Sequence, residues 1–461
     1  MGVDGIKVQG YKKHLKEGTL VEKLKWLVWK LIPYDLEVAI RAVLQPGFRK
    51  KHAACAERIG WEDTKKKAVL QKNKKISVVF FCHFPSIWNS SMSAFQAALE
   101  DPNLDVYLLA LPPKMMEKNC KIFHEIYGEN RTYEFCRKFF PDTINAFRPE
   151  DQSWFDLQEL KPDYVFLSRP YDQEIQPGYQ SKVLDSYTKI CYIPYSYCKM
   201  KWDSRVVYGC DFMDHVYAVF TENPMYCRMV RRIFCGIFKS GWKHVQYVGY
   251  PRFDLHRSKK AETESPSKTV VWLPRWTTKN ILEPSTFFLY KDVLLDYFKA
   301  NPQFQLICRP HPLMFDNFRS TGEMTEAEIR AFKTLFVETE NFCLDESGDY
   351  LPVFEAADIF ISDTSSLLIE EFITGKPVIF CGSTAHFDRE ARKWAKLMYP
   401  VRERGGLMDT LKNLLDGHDP NRTARECFIG DNLRFDGGCG KRIIEFIKND
   451  YFESTERRTS G

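Results

Sequence analysis

From residue 76 onward, short runs of β-branched and aromatic residues alternate with stretches whose apolar positions recur at helical spacing. ISVVFFCHF (76–84), VYLLALP (106–112), DYVFLS (163–168), KICYIP (189–194), HVYAVF (215–220) and HVQYVG (244–249) predict buried strands, with amphipathic helices such as 90–100 and 121–139 between them. A charged, Ser-rich stretch with no large apolar residue after Leu255 (255–268) then marks a domain boundary. Beyond it, TVVWLP (269–274), FQLICRP (304–310), FCLD (342–345), ADIFIS (357–362) and KPVIFC (376–381) predict a second set of strands, and 407–415 and 440–448 predict closing helices. Alternation of this kind predicts an α/β protein of two Rossmann-like domains facing a cleft at the carboxyl ends of both sheets. The expected divisions are a helical extension over 1–75, a first Rossmann-like domain over 76–260, a second over 266–415 and a helical closing segment over 416–461.

Ahead of these strands the pattern is different. LVEKLKWLVWKLI (20–32) places Leu20, Leu24, Leu27, Val28 and Leu31 on one stripe and Lys23, Lys25 and Lys30 outside it, the pattern of a basic amphipathic helix. Its apolar face can dock on the protein body or lie on a membrane surface. Charge sharpens the second possibility. The chain carries a net charge of only +5, yet residues 1–75 hold 18 Lys and Arg against 8 Asp and Glu. An anionic membrane surface is therefore an expected partner of residues 20–75. The rest of the chain is net acidic, which disfavours a nucleic-acid partner.

Aromatic residues at 15% exclude a disordered chain. Fourteen cysteines show no Cys-x-x-Cys pair, and the opening residues lack the apolar core of a secretory signal. No run is apolar for long enough to span a bilayer. These features predict a cytoplasmic protein with reduced thiols, peripheral at the inner face of the membrane.

Candidate chemistry concentrates at strand ends. Arg309-Pro310-His311-Pro312 follows one strand, and the flanking prolines fix the imidazole beside a guanidinium suited to phosphate or pyrophosphate; the plainer role is a turn-capping His. Asp363-Thr364-Ser365-Ser366 leads into a helix and offers hydroxyls and backbone N–H groups to an anion, beyond the single residue a cap needs. Glu370, soon after, is a candidate acceptor for ribose hydroxyls, or else a solvated acid. In the first domain His83 ends the first strand as a candidate base or a core histidine, and Tyr195 and Tyr197 form a candidate acceptor wall. Gly-x-Gly-x-x-Gly after a strand, a P-loop, His-Glu-x-x-His and Gly-x-Ser-x-Gly are all absent, which removes support for hydride transfer, ATP hydrolysis, zinc proteolysis and esterase chemistry.

Three segments together, RPHPLMFDN (309–317), GDYLPVFEAADIFISDTSSLLIEEFITGKPVIF (348–380) and FDGGCGKRIIEFI (435–447), resemble the carboxyl half of CDP-glycerol glycerophosphotransferases. That family builds teichoic-acid and capsule polyol-phosphate chains. The resemblance implies a GT-B-like fold with the acceptor domain over 76–260 and the nucleotide-binding domain over 266–415, a CDP-activated polyol as donor, and a lipid-linked or polymeric glycan as acceptor. The donor is a substrate, so no cofactor and no metal are expected. It also implies that His311 and Arg309 steady the pyrophosphate while Ser365 and Ser366 bind phosphate oxygens, with Lys376 or Arg442 as further candidate charges. The chain departs from the family at IPYSY (193–197), where relatives carry a Trp-His-Gly whose His is thought to deprotonate the acceptor. His83 is the candidate replacement. Two other readings fit the same residues: a GT-B transferase using a nucleotide-sugar, and a non-catalytic scaffold binding nucleotide or polymer.

Overall fold

Seven strands, β1 (Ile76–Cys82), β2 (Leu104–Ala110), β3 (Ile144–Asn145), β4 (Tyr164–Leu167), β5 (Lys189–Tyr192), β6 (Ala218–Thr221) and β7 (His244–Tyr247), form one parallel sheet. Six more, β8 (Thr269–Leu273), β9 (Gln305–Cys308), β10 (Phe342–Leu344), β11 (Ile359–Ser362), β12 (Val378–Phe380) and β13 (Tyr399–Pro400), form a second. The computed structural model describes Leu36, Ile40 and residues 75–459 apart from 113–129, 149, 236–242, 257–266 and 280–283. The basic amphipathic segment 20–32, the lysine clusters up to 74 and the first part of the helix expected over 121–139 lie outside the described residues.

Both sheets are doubly wound. The spatial order is β3-β2-β1-β4-β5-β6-β7 in the first and β10-β9-β8-β11-β12-β13 in the second. In each, the chain builds outward from the opening strand, returns, and builds in the opposite direction. The strand order therefore reverses between β1 and β4, paired with Val79 opposite Val165, and between β8 and β11, paired with Val271 opposite Phe360. At such a reversal the connections leave in opposite directions and a crevice opens at the carboxyl ends, which is where ligands of open α/β sheets bind. Every residue of β1 and of β8 is buried, as expected for strands covered on both faces. The arrangement is of the GT-B type.

The expected strand at 215–220 begins later than its hydrophobic run. His215 instead closes a helical turn, Phe212–His215, which buries Phe212 and Met213 and pairs His215 with Asp185. The two-residue edge strands β3 and β13 are too short to leave a periodic signal.

Helix α1 (Asn89–Leu99) covers the first sheet, α2 (Phe287–Ala300) the second, and α3 (Leu368–Ile373) follows β11. The last helix, α4 (Cys439–Thr459), crosses back to the first sheet, where Ile443, Ile444 and Ile447 join the core beneath α1. Gly440 permits that approach: a Cβ there would stand 2.2 Å from the Ser93 carbonyl oxygen. Asp450 then fastens α4 by accepting from Tyr164 Oη at 2.6 Å and Lys189 Nζ at 2.8 Å.

A seam joins the two halves at the carboxyl side of both sheets. Asp388 N–H donates to the Lys199 carbonyl at 2.7 Å and Lys201 N–H to the His386 carbonyl at 3.0 Å, around an antiparallel bridge of Met200 with Phe387. Beneath it Tyr197, Met200, Tyr250 and Phe253 share one apolar cluster with Leu273, Phe360 and Phe380. The two strand-end crevices thus belong to halves packed against one another.

Candidate active site

Three adjacent strand ends of the second sheet converge. Arg275 follows β8, His311 follows β9 and Thr364 follows β11. Arg275 Nη1 donates to the Thr364 carbonyl at 2.8 Å, and His311 N–H donates to the Pro274 carbonyl at 3.2 Å. The His311 ring stands 6.3 Å from that of Trp276. Leu313 N–H donates to His311 Nδ1 at 3.2 Å, so the neutral ring carries its proton on Nε2. His311 is exposed at the crevice edge; desolvation by the nearby protein, with the Arg275 charge second, pushes its pKa down to about 4. At neutral pH it is an uncharged hydrogen-bond donor beside a permanent cation.

Asp363 builds this corner from within. It is buried, and it accepts from Arg275 N–H at 2.8 Å, Thr286 Oγ1 at 2.6 Å and Ser285 Oγ at 3.3 Å. Burial raises its pKa. These bonds tie the loop after β8 and the start of α2 to the end of β11, so Asp363 positions Arg275 rather than facing the crevice. Thr364 Oγ1 is buried with no hydrogen-bond partner among the described residues, and a Cβ on Gly382 would fall 2.4 Å from it. Ser365 Oγ accepts from Leu367 N–H at 3.1 Å, while Ser366 is exposed. Helix α3 has only six residues, so its dipole is short and the hydroxyls and Arg275 carry the attraction for an anion.

Several expected residues have other partners. The Arg309 guanidinium is ion-paired with Asp345 and donates to the Ser347 carbonyl at 2.9 Å, which pins the 345–349 loop. Glu370 is fully buried, accepts from the Tyr350 hydroxyl, and lies 3.1 Å from Arg252 Nε and 3.3 Å from His256 Nε2. It clasps the segment leaving the first domain to α3 instead of facing a ligand. Lys376 Nζ donates to the carbonyls of Phe354 and Glu355, and Arg442 is held by Asp436 and the Val248 carbonyl. Arg275 stands outside the motifs that the sequence offers as candidates. Its signal was present as a cation placed directly after Leu273-Pro274 at a strand end.

In the first domain His83 is buried at the end of β1, its ring 4.2 Å from that of Phe84, at the mouth of the β1/β4 crevice. Tyr195 is half-buried nearby. Tyr197, by contrast, is buried against Phe253 and Tyr250 in the seam. The structure thus groups His83 with Tyr195 on one side and His311 with Thr364, Ser365 and Ser366 on the other. Among the described residues no group of three His, Cys, Asp or Glu side chains is placed to hold a metal ion.

Residues 205–400 match the family model for CDP-Glycerol:Poly(glycerophosphate) glycerophosphotransferase, which bears out the resemblance read from the sequence. No curated protein sequence matches the chain. Among solved structures, a putative UDP-N-acetylglucosamine 2-epimerase from Listeria monocytogenes is similar with a TM-score of 0.52 at 12% identity, covering 82% of this chain and 97% of that one. UDP-GlcNAc 2-epimerase from Neisseria meningitidis bound to UDP-GlcNAc gives 0.52 at 12% identity, covering 81% and 100%. The wall teichoic acid polymerase TagF gives 0.50 at 15% identity, covering 92% and 100%. At these identities the likeness establishes the fold.

Proposed function

We propose that the chain transfers a polyol phosphate, glycerol phosphate or a close relative, from a CDP-activated donor to a hydroxyl of a lipid-linked or polymeric glycan acceptor in cell-envelope polymer synthesis. The supporting observation is that the family match over 205–400 contains the whole Arg275, His311 and Thr364–Ser366 corner. TagF, a polymerase of wall teichoic acid, shares the fold.

The donor diphosphate would lie at the β8/β11 crevice. Arg275 supplies the positive charge, and neutral His311 donates from Nε2 to a phosphoryl oxygen without carrying charge itself. The acceptor oxygen attacks the β-phosphorus, the bond from that phosphorus to the bridging oxygen breaks, and CMP departs with that oxygen. The acceptor proton passes to a base, for which His83 is the candidate, or to water; a loose phosphoryl-transfer transition state asks little of that base. Catalysis then rests on positioning and charge stabilisation. The reaction would take place at the inner membrane face, with residues 20–75 on the anionic bilayer.

A nucleotide panel tests the donor. CDP and CMP should raise the melting temperature of the full chain while UDP and GDP leave it unchanged. Stabilisation by UDP alone would favour the nucleotide-sugar reading.

A further inference from the structure

Positive charge is short at the donor corner. The pyrophosphate of a CDP-activated polyol is a doubly charged diester, whereas Arg275 is a single cation and His311 is neutral at pH 7. Other basic side chains of the region are engaged: Arg309 with Asp345, Arg252 with Glu370, and Lys376 with the carbonyls of Phe354 and Glu355.

The seam brings one more cation. Lys199 belongs to the first domain and sits where that domain meets the second. Its N–H donates to Asp203 Oδ2 at 2.8 Å, its carbonyl accepts from Asp388 N–H at 2.7 Å, and the next residue, Met200, bridges to Phe387. These bonds hold its backbone from both domains. Lys199 is only 8% exposed, yet its Nζ makes no hydrogen bond and no ion pair among the described residues. A buried ammonium without a fixed counter-ion opposes folding, so the arrangement suits an anion that arrives with a ligand.

Glu371 gives the direction. It stands in α3 and accepts from Ser362 Oγ at 3.0 Å and Ser365 Oγ at 3.5 Å, and the Lys199 charge acts on it across the seam. The lysine therefore faces the Ser365 end of the donor corner. Glu371 does not neutralise it: burial pushes this carboxyl up to about 8, so it is mostly protonated at pH 7.

We propose that Lys199 binds the β-phosphate of the donor from across the seam, as the second cation beside Arg275. The inference rests on the transferase reading given above. In that reading the nucleoside end lies in the second domain and the reacting end points toward the first, so a first-domain cation meets the phosphate that is transferred rather than the one kept in CMP. There it balances charge on the phosphoryl group as it moves. Donor binding becomes a contact of both domains.

Calorimetry with CDP and, separately, CMP on the full chain tests it, with Lys199→Met and Lys199→Arg. The Met change should weaken CDP binding by about tenfold or more and CMP binding by less than about threefold, and the Arg change should keep CDP binding. The ligand-free Met variant should melt no lower than the wild type, because a buried charge has been removed. No CDP binding by the wild type, equal CDP binding by wild type and Lys199→Met, or an equal loss for CDP and CMP would overturn the assignment. So would a Met variant that melts lower or does not fold, which would make Lys199 a counter-ion of the seam carboxyls. Lys199-dependent CDP binding in a protein that releases no CMP from any CDP-polyol would uphold the site and sink the transferase reading; CMP release unaltered in Lys199→Met would uphold the transferase and sink the site.

Discussion

The place of His311 at a strand end was legible in the sequence because two prolines flank it, but its tautomer and its charge were not. Only the structure places Leu313 N–H on Nδ1 and Arg275 beside the ring. The two arginines of this half make the same point in opposite directions. Arg309 has the suggestive neighbours yet is spent on Asp345, a partner 36 positions away, whereas Arg275 stands in an unremarkable stretch and reaches Thr364. Pairings of that range leave no local pattern. Because the His311 pKa lies near 4, below its unfolded value, the ring is neutral throughout the range from pH 6 to pH 8. His311→Ala should therefore lower turnover by roughly 10²–10³-fold with CDP binding retained, and by the same factor at pH 6 and pH 8. A deficit confined to one side of pH 6.5 would show that the ring acts as a titrating acid or base.

At the scale of elements, the strands were readable wherever both faces are covered, since a continuous apolar run needs no partner information. The seam between 199–201 and 386–388 was not readable. Three buried carboxyls lie at or close to it. Burial pushes Glu222 up to about 7, Glu371 up to about 8 and Asp388 up to about 6. Glu222 accepts from Cys198 N–H at 3.1 Å, Glu371 from Ser362 Oγ at 3.0 Å and Asp388 from Tyr226 Oη at 2.7 Å, and no cation pairs with any of them among the ion pairs described. Each keeps a proton in the folded chain that the unfolded chain has released. Their stabilising contribution is present below about pH 4 and is lost as pH rises through 6 to 8, at no more than about 1.4 kcal/mol per pH unit for each group. The melting temperature should fall between pH 5 and pH 8, and Glu222→Gln should flatten part of that slope. An unchanged slope in the variant would place the titration elsewhere.

For the whole molecule, doubly wound topology does most of the functional arrangement. Two sheets of the same winding each open a crevice at the carboxyl side, and the seam sets those sides together; in the proposed transfer, the donor takes the crevice of the second sheet. The proposed membrane location rests on the charge asymmetry. The N-terminal surplus predicts that the full chain binds anionic vesicles, that binding weakens as salt rises, and that a chain lacking residues 1–60 does not bind. Vesicle binding that survives the deletion would move the membrane contact to the folded body. The transfer itself is tested most sharply by CMP release and product mass after offering the full-length protein CDP-glycerol, CDP-ribitol and UDP-N-acetylglucosamine side by side with a membrane acceptor fraction. A polyol-phosphate transferase gives CMP together with an acceptor heavier by one polyol phosphate from a CDP donor, and nothing from the UDP-sugar; sugar transfer from the UDP donor, or no CMP from either CDP-polyol, would contradict the proposed function.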